Sequence, residues 1–137
     1  MTLELRAVPV HYVAQAWPLV EKYIEDAQQY GGDDYTLEQI KVYLANGQWV
    51  LITVVDEQGA VHGALTMSFS NYPNDRVAFI TFIGGKCISS KDTFEQLKSI
   101  AKSFGATKIQ GAARESVARL WRRLGFVERY RIVETKI

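Results

Sequence analysis

Two glycines and two lysines lie close together just before a predicted helix in the last third of the chain. They are Gly84, Gly85, Lys86 and Lys91, and the helix is predicted to begin with Asp92 as its N-cap. The first turn of a helix has unpaired N–H groups and a partial positive charge, and glycines let a ligand approach the backbone closely. These residues could therefore hold a phosphate. They also suit an ordinary connection between a strand and a helix, and the sequence does not decide between the two.

Few side chains of this sequence could move a proton near neutral pH. His62 is the best candidate for a base, because it lies on the polar face of a predicted strand at residues 61–69. Trp121 has an N–H donor but no titratable proton, so it cannot act as a general acid. Both residues also suit structural roles, His62 as a solvated side chain and Trp121 as a core residue. Cys87 has no catalytic arrangement around it and is interpreted as a small apolar residue.

Acidic and basic residues are concentrated in different parts of the chain. Asp33 and Asp34 stand beside Tyr35 in a glycine-containing loop, where they could hold a cationic amine, although a solvated loop fits the same residues. A predicted helix near the other end carries arginines that could meet phosphates. We expect them to form its solvated outer face, because nucleic-acid binding would need exposed aromatic side chains beside them. These arginines are Arg114, Arg119, Arg122 and Arg123.

The bulk composition is that of one folded domain spanning residues 1–137. Hydrophobic residues make up 47% of the 137 positions and charged residues 23%, and the net charge is +1. No apolar run approaches the roughly 20 residues of a membrane helix, and no secretory leader is recognisable. The single cysteine excludes an internal disulfide and a multi-cysteine zinc site. We expect no metal, no membrane association and a cytoplasmic location.

Hydrophobic periodicity predicts an α+β fold. Apolar residues at helical spacing indicate two helices near the N-terminus, the second opened by a capping box of Thr36 and Gln39. Three strands joined by turns follow as an antiparallel meander, and a strand–helix–strand unit then requires a parallel partner. The predicted strands cover residues 3–8, 49–55, 61–69, 77–83, 107–112 and 126–137.

The last predicted helix ends in the run ARLWRRLGF at residues 118–126. This run resembles the A-x-x-L-Y-x-x-L-G-F signature of the GCN5-related N-acetyltransferase (GNAT) superfamily, and the order of elements is similar over essentially the whole chain. The resemblance implies a twisted, mostly antiparallel sheet of six or seven strands with four flanking helices. Its most specific part is the ending Leu124-Gly125-Phe126.

The resemblance also implies an activity, which is acyl transfer from acetyl-CoA to the amine of a small molecule or protein. The cofactor would enter at Ile83, and its phosphates would lie along the loop described above, which includes Ser89 and Ser90. His62 and Trp121 would stand nearest to the catalytic positions. The amine acceptor would lie near the loop that joins the first two helices. The residues implied there are Asp33, Asp34 and Tyr35.

Two departures from the GNAT pattern leave a second interpretation open. The family motif R/Q-x-x-G-x-G/A falls on residues 89–94, which contain no glycine, and Trp121 replaces the usual tyrosine. The chain could therefore be a catalytically degenerate GNAT-like domain that binds or assembles, as among short phage-encoded relatives. A nucleic-acid module is the third and weakest interpretation. The edge of the last predicted strand could pair with a second copy, giving a homodimer.

Overall fold

Five of the six predicted strands pair into one sheet, and four α-helices cover its two faces. The computed structural model describes residues 2–30 and 34–137. The elements are β1 (Glu4–Val8), a short 3-10 helix (Val10–Tyr12), α1 (Val13–Gln28), α2 (Leu37–Ala45), β2 (Val50–Val55), β3 (Val61–Asn71), β4 (Arg76–Gly85), α3 (Lys91–Ser103), β5 (Lys108–Gly111) and α4 (Glu115–Arg123).

The strands follow one another across the sheet in chain order, β1-β2-β3-β4-β5. The first three pairings are antiparallel, as expected for strands joined by short turns. The pairing of β4 with β5 is parallel, because α3 carries the chain back to the other end of the sheet. The predicted meander and the predicted crossover are therefore both confirmed.

The prediction of six or seven strands was wrong, because the sheet has five. The predicted strand at residues 126–137 forms no ladder, and beyond Phe126 its apolar side chains are exposed; Val133, for example, is 90% exposed. The segment has the β-branched and aromatic residues of a strand, but a strand also needs a neighbour that takes its main-chain hydrogen bonds. Among the described residues of this chain no such neighbour pairs with it.

Alternation along the strands sends side chains into two separate cores. Leu51 and Ala64 pack beneath α1 and α2, together with Ile24 and Ile40 from those helices. On the opposite face, strand residues such as Leu65 pack beneath α3 and α4. The second core includes Ile52, Val54, Met67, Ile80, Phe94, Leu97 and Trp121.

The helix ends confirm some sequence predictions and correct others. The capping box of Thr36 and Gln39 is present at α2. At α3 the predicted cap Asp92 was wrong, because Ser90 caps the helix and exchanges hydrogen bonds with Thr93. Among the described residues, no helix combines the length and hydropathy that crossing a bilayer requires.

Candidate functional site

Strand β4 contains a bulge at Thr81, and this bulge opens the sheet. Thr66 of β3 lies opposite Phe82, whereas its neighbour Met67 lies opposite Ile80, so Thr81 is an additional residue on β4. Thr66 holds this arrangement: its hydroxyl accepts a hydrogen bond from the Phe82 N–H at 3.1 Å, and its carbonyl accepts one from the Thr81 hydroxyl at 3.0 Å. The extra residue also reverses the alternation, because Ile80 faces α3 whereas Phe82 faces α1 and α2.

The bulge coincides with the end of the contact between β4 and β5. Their ladder stops at the pair Ile80 and Gly111, although β4 continues to Gly85 and stays paired with β3. Beyond Ile80, β4 therefore presents main-chain N–H and C=O groups that no strand of the described chain pairs. Such groups can bind an extended amide-containing ligand in the way that a neighbouring strand would. Ile83, predicted to contact the cofactor, lies in this unpaired stretch.

Close backbone packing fixes the end of β4. A Cβ atom at Gly84 would lie 2.1 Å from the carbonyl oxygen of Tyr23, so only glycine lets α1 approach this closely. Gly85 has φ of +72°, a left-handed conformation that favours glycine. The next N–H, of Lys86, donates to the carbonyl oxygen of His62 at 3.0 Å. The two glycines thus determine where the loop leaves the sheet, which is a structural role whether or not a ligand binds there.

The loop leads directly to the N-terminus of α3, as predicted. Lys86, Ser89 and Lys91 have exposed side chains there, and neither lysine forms an ion pair within residues 2–30 and 34–137. Ser90 differs, because its side chain is engaged as the helix cap. The cationic turn at this helix end was thus predicted from the sequence. What it offers an anion is two ammonium groups and the main-chain N–H groups of the first helical turn.

Asp92 and Cys87 lie beside this loop, and both of their side chains form hydrogen bonds. The carboxylate of Asp92 accepts a hydrogen bond from the Gln96 side chain at 3.0 Å, and Gln96 in turn bonds the backbone of β1 at Leu5. Asp92 is therefore drawn along α3 towards β1. Cys87 is buried and donates to the Gly84 carbonyl at 3.3 Å. Burial raises the pKa of its thiol to about 12, which agrees with the interpretation of Cys87 as a small apolar residue.

His62 has a carboxylate partner that sequence reasoning missed. Its Nε2 lies 2.7 Å from Oδ2 of Asp56, at the base of the hairpin that joins β2 to β3. This hydrogen bond, together with those from the backbone N–H groups of Ala60 and Gln58, lowers the pKa of the Asp56 carboxyl below its ordinary value. Asp56 orients the imidazole through its Nε2, so Nδ1 is the ring nitrogen that does not contact Asp56. The signal was present, since Asp56 opens the predicted turn six residues before His62.

Trp121 lies far from His62. Its ring packs on Gly111 so closely that a Cβ atom there would meet it at 2.8 Å, and it stacks on Phe126 with ring centroids 5.1 Å apart. Two strand spacings across the sheet and about five residues along it separate Gly111 from His62, which is roughly 15–20 Å between their backbones. The two residues named as catalytic candidates are therefore not brought together around one reacting group. Trp121 is 4% exposed, as a core residue is.

Aromatic rings connect the predicted acceptor region to the open end of β4. Tyr35 lies in edge contact with Trp49 at 4.9 Å and with Phe82 at 6.2 Å between ring centroids. Asp34 is exposed beside it, and Asp33 lies outside the described residues. On the far side of the opening, the guanidinium of Arg114 lies over the ring of Tyr30 at 3.9 Å. The end of α1, the start of α2 and the residues before α4 thus surround the splayed strands.

The fold is similar to that of acetyltransferases of known structure. An aminoglycoside acetyltransferase from an uncultured soil metagenomic sample, solved with sisomicin, superposes with a TM-score of 0.71 at 10% identity, covering 98% of this chain and 95% of that one. A predicted acetyltransferase from Clostridium acetobutylicum, solved with acetyl-CoA, gives 0.65 at 14% identity, with 98% and 96% covered. The aminoglycoside antibiotic 6′-N-acetyltransferase of Acinetobacter baumannii gives 0.63 at 16% identity, with 99% and 98% covered.

Sequence comparison adds no relatives, since no family profile and no curated protein matches this chain. At these low identities the structural likeness establishes the fold alone. It agrees with the GNAT arrangement expected from the C-terminal signature and the order of elements.

Proposed function

We propose that this protein is a member of the GNAT superfamily that transfers an acetyl group from acetyl-CoA to an amine. The observation that carries the proposal is the opening between β4 and β5, which begins at Thr81 and faces the N-terminus of α3. It combines unpaired main-chain groups, which suit the amides of a pantetheine arm, with a cationic turn that suits a pyrophosphate. Acetyl-CoA joins these two chemical features in one molecule.

In the proposed complex the pantetheine arm lies along β4 past Ile83. The phosphates lie on Gly84, Gly85, Lys86, Ser89 and Lys91, with Ser90 fixing the helix end. The lysines supply charge, and the helix N–H groups supply directed hydrogen bonds. The absence of glycine from residues 89–94 makes this turn less open than the family motif. We therefore expect the two lysines to carry a large share of the phosphate affinity.

The reaction itself requires an orienting site and a neutral amine. The amine nitrogen attacks the thioester carbonyl carbon, a C–N bond forms, the C–S bond breaks and coenzyme A leaves as a thiolate. The nitrogen then loses its proton to a base. His62, oriented by Asp56, is the candidate, and its backbone lies roughly 10–15 Å from Phe82 along the ladder. We propose that His62 takes this proton through a chain of several waters, because one water cannot bridge this separation.

Trp121 has a different part in this proposal. It has no titratable proton, so the leaving thiolate must take a proton from water or remain ionised. A thiolate is a competent leaving group near neutral pH, since an ordinary thiol has a pKa of about 8.5. We propose that Trp121 forms a wall of the site by its packing on Gly111. Replacement of Trp121 by tyrosine would then test whether a proton donor at this position increases turnover.

We propose a polycationic amine as the acceptor, whose charged groups lie near Asp33, Asp34 and Tyr35 while the reacting nitrogen is neutral. The Asp34 carboxylate and the Tyr35 ring beside the opening are groups that recognise an ammonium. Two of the structurally similar proteins are aminoglycoside acetyltransferases, and aminoglycosides are polycationic amines of this class. They are therefore the first acceptors to examine, followed by polyamines and lysine-containing peptides.

Release of free coenzyme A from acetyl-CoA, measured against a panel of these amines, tests the proposal. We expect amine-dependent thiol release, with kcat/KM reduced about 10- to 100-fold in His62→Ala. Asp34→Asn should raise KM for a cationic acceptor and leave the affinity for acetyl-CoA unchanged. Lys102→Ala, exposed in the last turn of α3, is the control. Release that is independent of every amine would contradict acyl transfer to an amine.

The buried position of Trp121 and the distance to His62 favour one second candidate. In it the protein binds acetyl-CoA without turnover, as a degenerate GNAT-like domain used for binding or assembly. Acetyl-CoA binding with no amine-dependent release across the panel would select this candidate. Turnover with any amine that saturates would exclude it.

A further inference from the structure

Exposed arginines of α4 and of the chain that follows it form a strongly basic part of the surface. Between residues 119 and 131 there are five arginines and one glutamate, an excess of four positive charges, whereas the whole chain carries +1. All five arginines are exposed, and together they are termed the basic face: Arg119, Arg122, Arg123, Arg129 and Arg131. Because charges are screened beyond roughly 8 Å at physiological salt, distant acidic residues of the chain cancel little of its potential.

The fold brings the arginines of the helix beside those of the following chain. Arg119 and Arg123 lie one turn apart on the solvent side of α4. Arg122, on the neighbouring side of the same helix, lines a cavity of about 480 Å³ together with Arg129 and Arg131. The five guanidinium groups thus belong to one continuous region, along which a chain of phosphates could lie.

Most of this charge is available to an anionic ligand. Arg122 pairs with Glu115 at 2.9 Å, and Arg131 lies 3.6 Å from Glu128. All four of these side chains are exposed, and exposed ion pairs contribute little to stability, so a phosphate can replace either carboxylate. The other three arginines of the basic face form no ion pair within residues 2–30 and 34–137. A guanidinium has the planar N–H geometry that matches a phosphate.

Tyr130 places an exposed aromatic ring among these arginines. It stands between Arg129 and Arg131, is 68% exposed and lines the same cavity. The Arg129 guanidinium lies 5.7 Å from the centre of its ring. Cationic side chains that follow a phosphate backbone and an aromatic ring on which a base stacks are the combination found in single-strand binding sites. The exposed aromatic side chain that nucleic-acid binding needs is therefore present beside the arginines.

We propose that the basic face and Tyr130 bind single-stranded nucleic acid, with phosphates on the arginines and a base stacked on the tyrosine. A duplex suits this surface less, because its bases are already stacked and must be unstacked to reach the ring. An acidic protein could meet the arginines but brings no base for the ring. The basic face lies on α4 and the chain after it, whereas the turn proposed for acetyl-CoA precedes α3, so the two sites are separate.

Fluorescence anisotropy with labelled oligothymidine and oligouridine of about 12 bases tests this proposal. We expect both to bind, and log K to fall with log salt with a slope of about −2 to −3, as for three or four phosphate contacts on a single strand. Arg129→Ala/Arg131→Ala should raise Kd at least about ten-fold. Tyr130→Ala should raise Kd about five-fold or more, whereas Tyr130→Phe, which keeps the ring, should bind as the wild type does.

Two control variants match these changes elsewhere on the surface. Arg6→Ala/Lys102→Ala removes the same charge from exposed positions of β1 and α3, and Tyr72→Ala removes a ring that is 60% exposed between β3 and β4. Both should bind the oligonucleotides as the wild type does, and circular dichroism establishes that every variant is folded. The proposal is overturned by no binding at low salt, or by a double arginine variant that binds as the wild type does. Equally tight binding of a duplex or of polyglutamate would also overturn it. None of these outcomes depends on acetyl-CoA binding.

Discussion

Thr66 holds the bulge at which the sheet opens, through hydrogen bonds to Thr81 and Phe82 of β4. It is fully buried, and its hydroxyl and carbonyl hold the additional residue of β4. A bulge costs ladder hydrogen bonds, so it persists only where side chains replace them. The Thr66 side chain is such a replacement, and the opening that would receive a cofactor depends on it.

Thr66→Val tests this dependence. Valine has nearly the same shape but leaves the Phe82 N–H without its acceptor, so we expect a loss of about 1–3 kcal/mol in the free energy of unfolding. Acetyl-CoA affinity should fall with it, because the end of β4 loses its fixed geometry. Thr53→Val, at a buried threonine of β2 whose hydroxyl takes no part in the bulge, should change neither quantity as much. Equal losses of stability and affinity in both variants would show that the hydrogen bonds at the bulge contribute no more than the hydroxyl of another buried threonine.

Asp56 gives a prediction about pH. Its hydrogen bond from His62 lowers the carboxyl pKa in the folded protein, so the ionised form stabilises the fold. This contribution is complete above the ordinary pKa of 3.8 and is lost as the pH falls through the lowered value. Asp56→Asn should therefore be less stable than the wild type at neutral pH, and the difference should shrink in acid.

Chemical denaturation at a series of pH values measures this difference. Asp26→Asn, on the exposed side of α1, serves as the control and should show no comparable pH-dependent gap. A gap for Asp56→Asn that widens towards low pH would mean that the contact with His62 does not stabilise the charged form.

The N-terminus of α3 is the element on which the phosphate proposal rests. Ser90 and Thr93 form a capping box there, and Thr36 and Gln39 form one at α2. The two caps should contribute similarly to stability, about 0.5–2 kcal/mol each, because they satisfy equivalent backbone groups. Only the α3 cap stands at the turn proposed to hold the phosphates, whereas the α2 cap adjoins Tyr35 on the proposed acceptor side of the opening.

Ser90→Ala and Thr36→Ala form a matched pair. We expect both to lower the free energy of unfolding by about 1 kcal/mol, and Ser90→Ala alone to weaken acetyl-CoA binding. Thermal melting measures the first effect and calorimetry the second. If Thr36→Ala weakened binding as much as Ser90→Ala, general loss of stability would explain both results and the phosphates would not lie at α3.

Elements with strong local signals were predictable from the sequence, and those decided by distant partners were not. The Thr36 capping box and the order from β1 to α4 depend on neighbours within a few residues, and both were correctly predicted. The cap of α3 was misplaced by two residues, since Asp92 and Ser90 are both good capping residues and the Asp92 side chain instead accepts a hydrogen bond from Gln96, one turn further along α3. The final strand at residues 126–137 was over-predicted, because a pattern cannot show whether a neighbour exists.

Among the site residues, too, those determined by a local pattern were predictable and those determined by distant contacts were not. Lys86 and Lys91 could be placed at a helix start from local pattern. The bulge at Thr81 depends on a contact with Thr66, fifteen residues away, whereas Asp56 lies only six residues before His62 and its signal was overlooked. The separation of His62 from Trp121 follows from strand register, which the sequence specifies only through the assembled sheet.

At the scale of the whole molecule, the fold places three features around one opening. The unpaired part of β4, the cationic start of α3 and the acidic start of α2 come from distant parts of the chain. Their arrangement is the basis on which we propose acetyl-CoA and an amine as the ligands, because a fold by itself supports many activities. The central claim is therefore that acetyl-CoA binds in this opening with its phosphates on the turn before α3.

Calorimetric titration of the protein with acetyl-CoA tests that claim most directly. We predict micromolar binding, about 8 kcal/mol, weakened roughly five-fold or more by Lys86→Ala and by Lys91→Ala. Lys102→Ala, at the other end of α3, should bind as the wild type does. No heat and no thermal stabilisation at millimolar acetyl-CoA would contradict the account, and so would binding that all three variants retain equally.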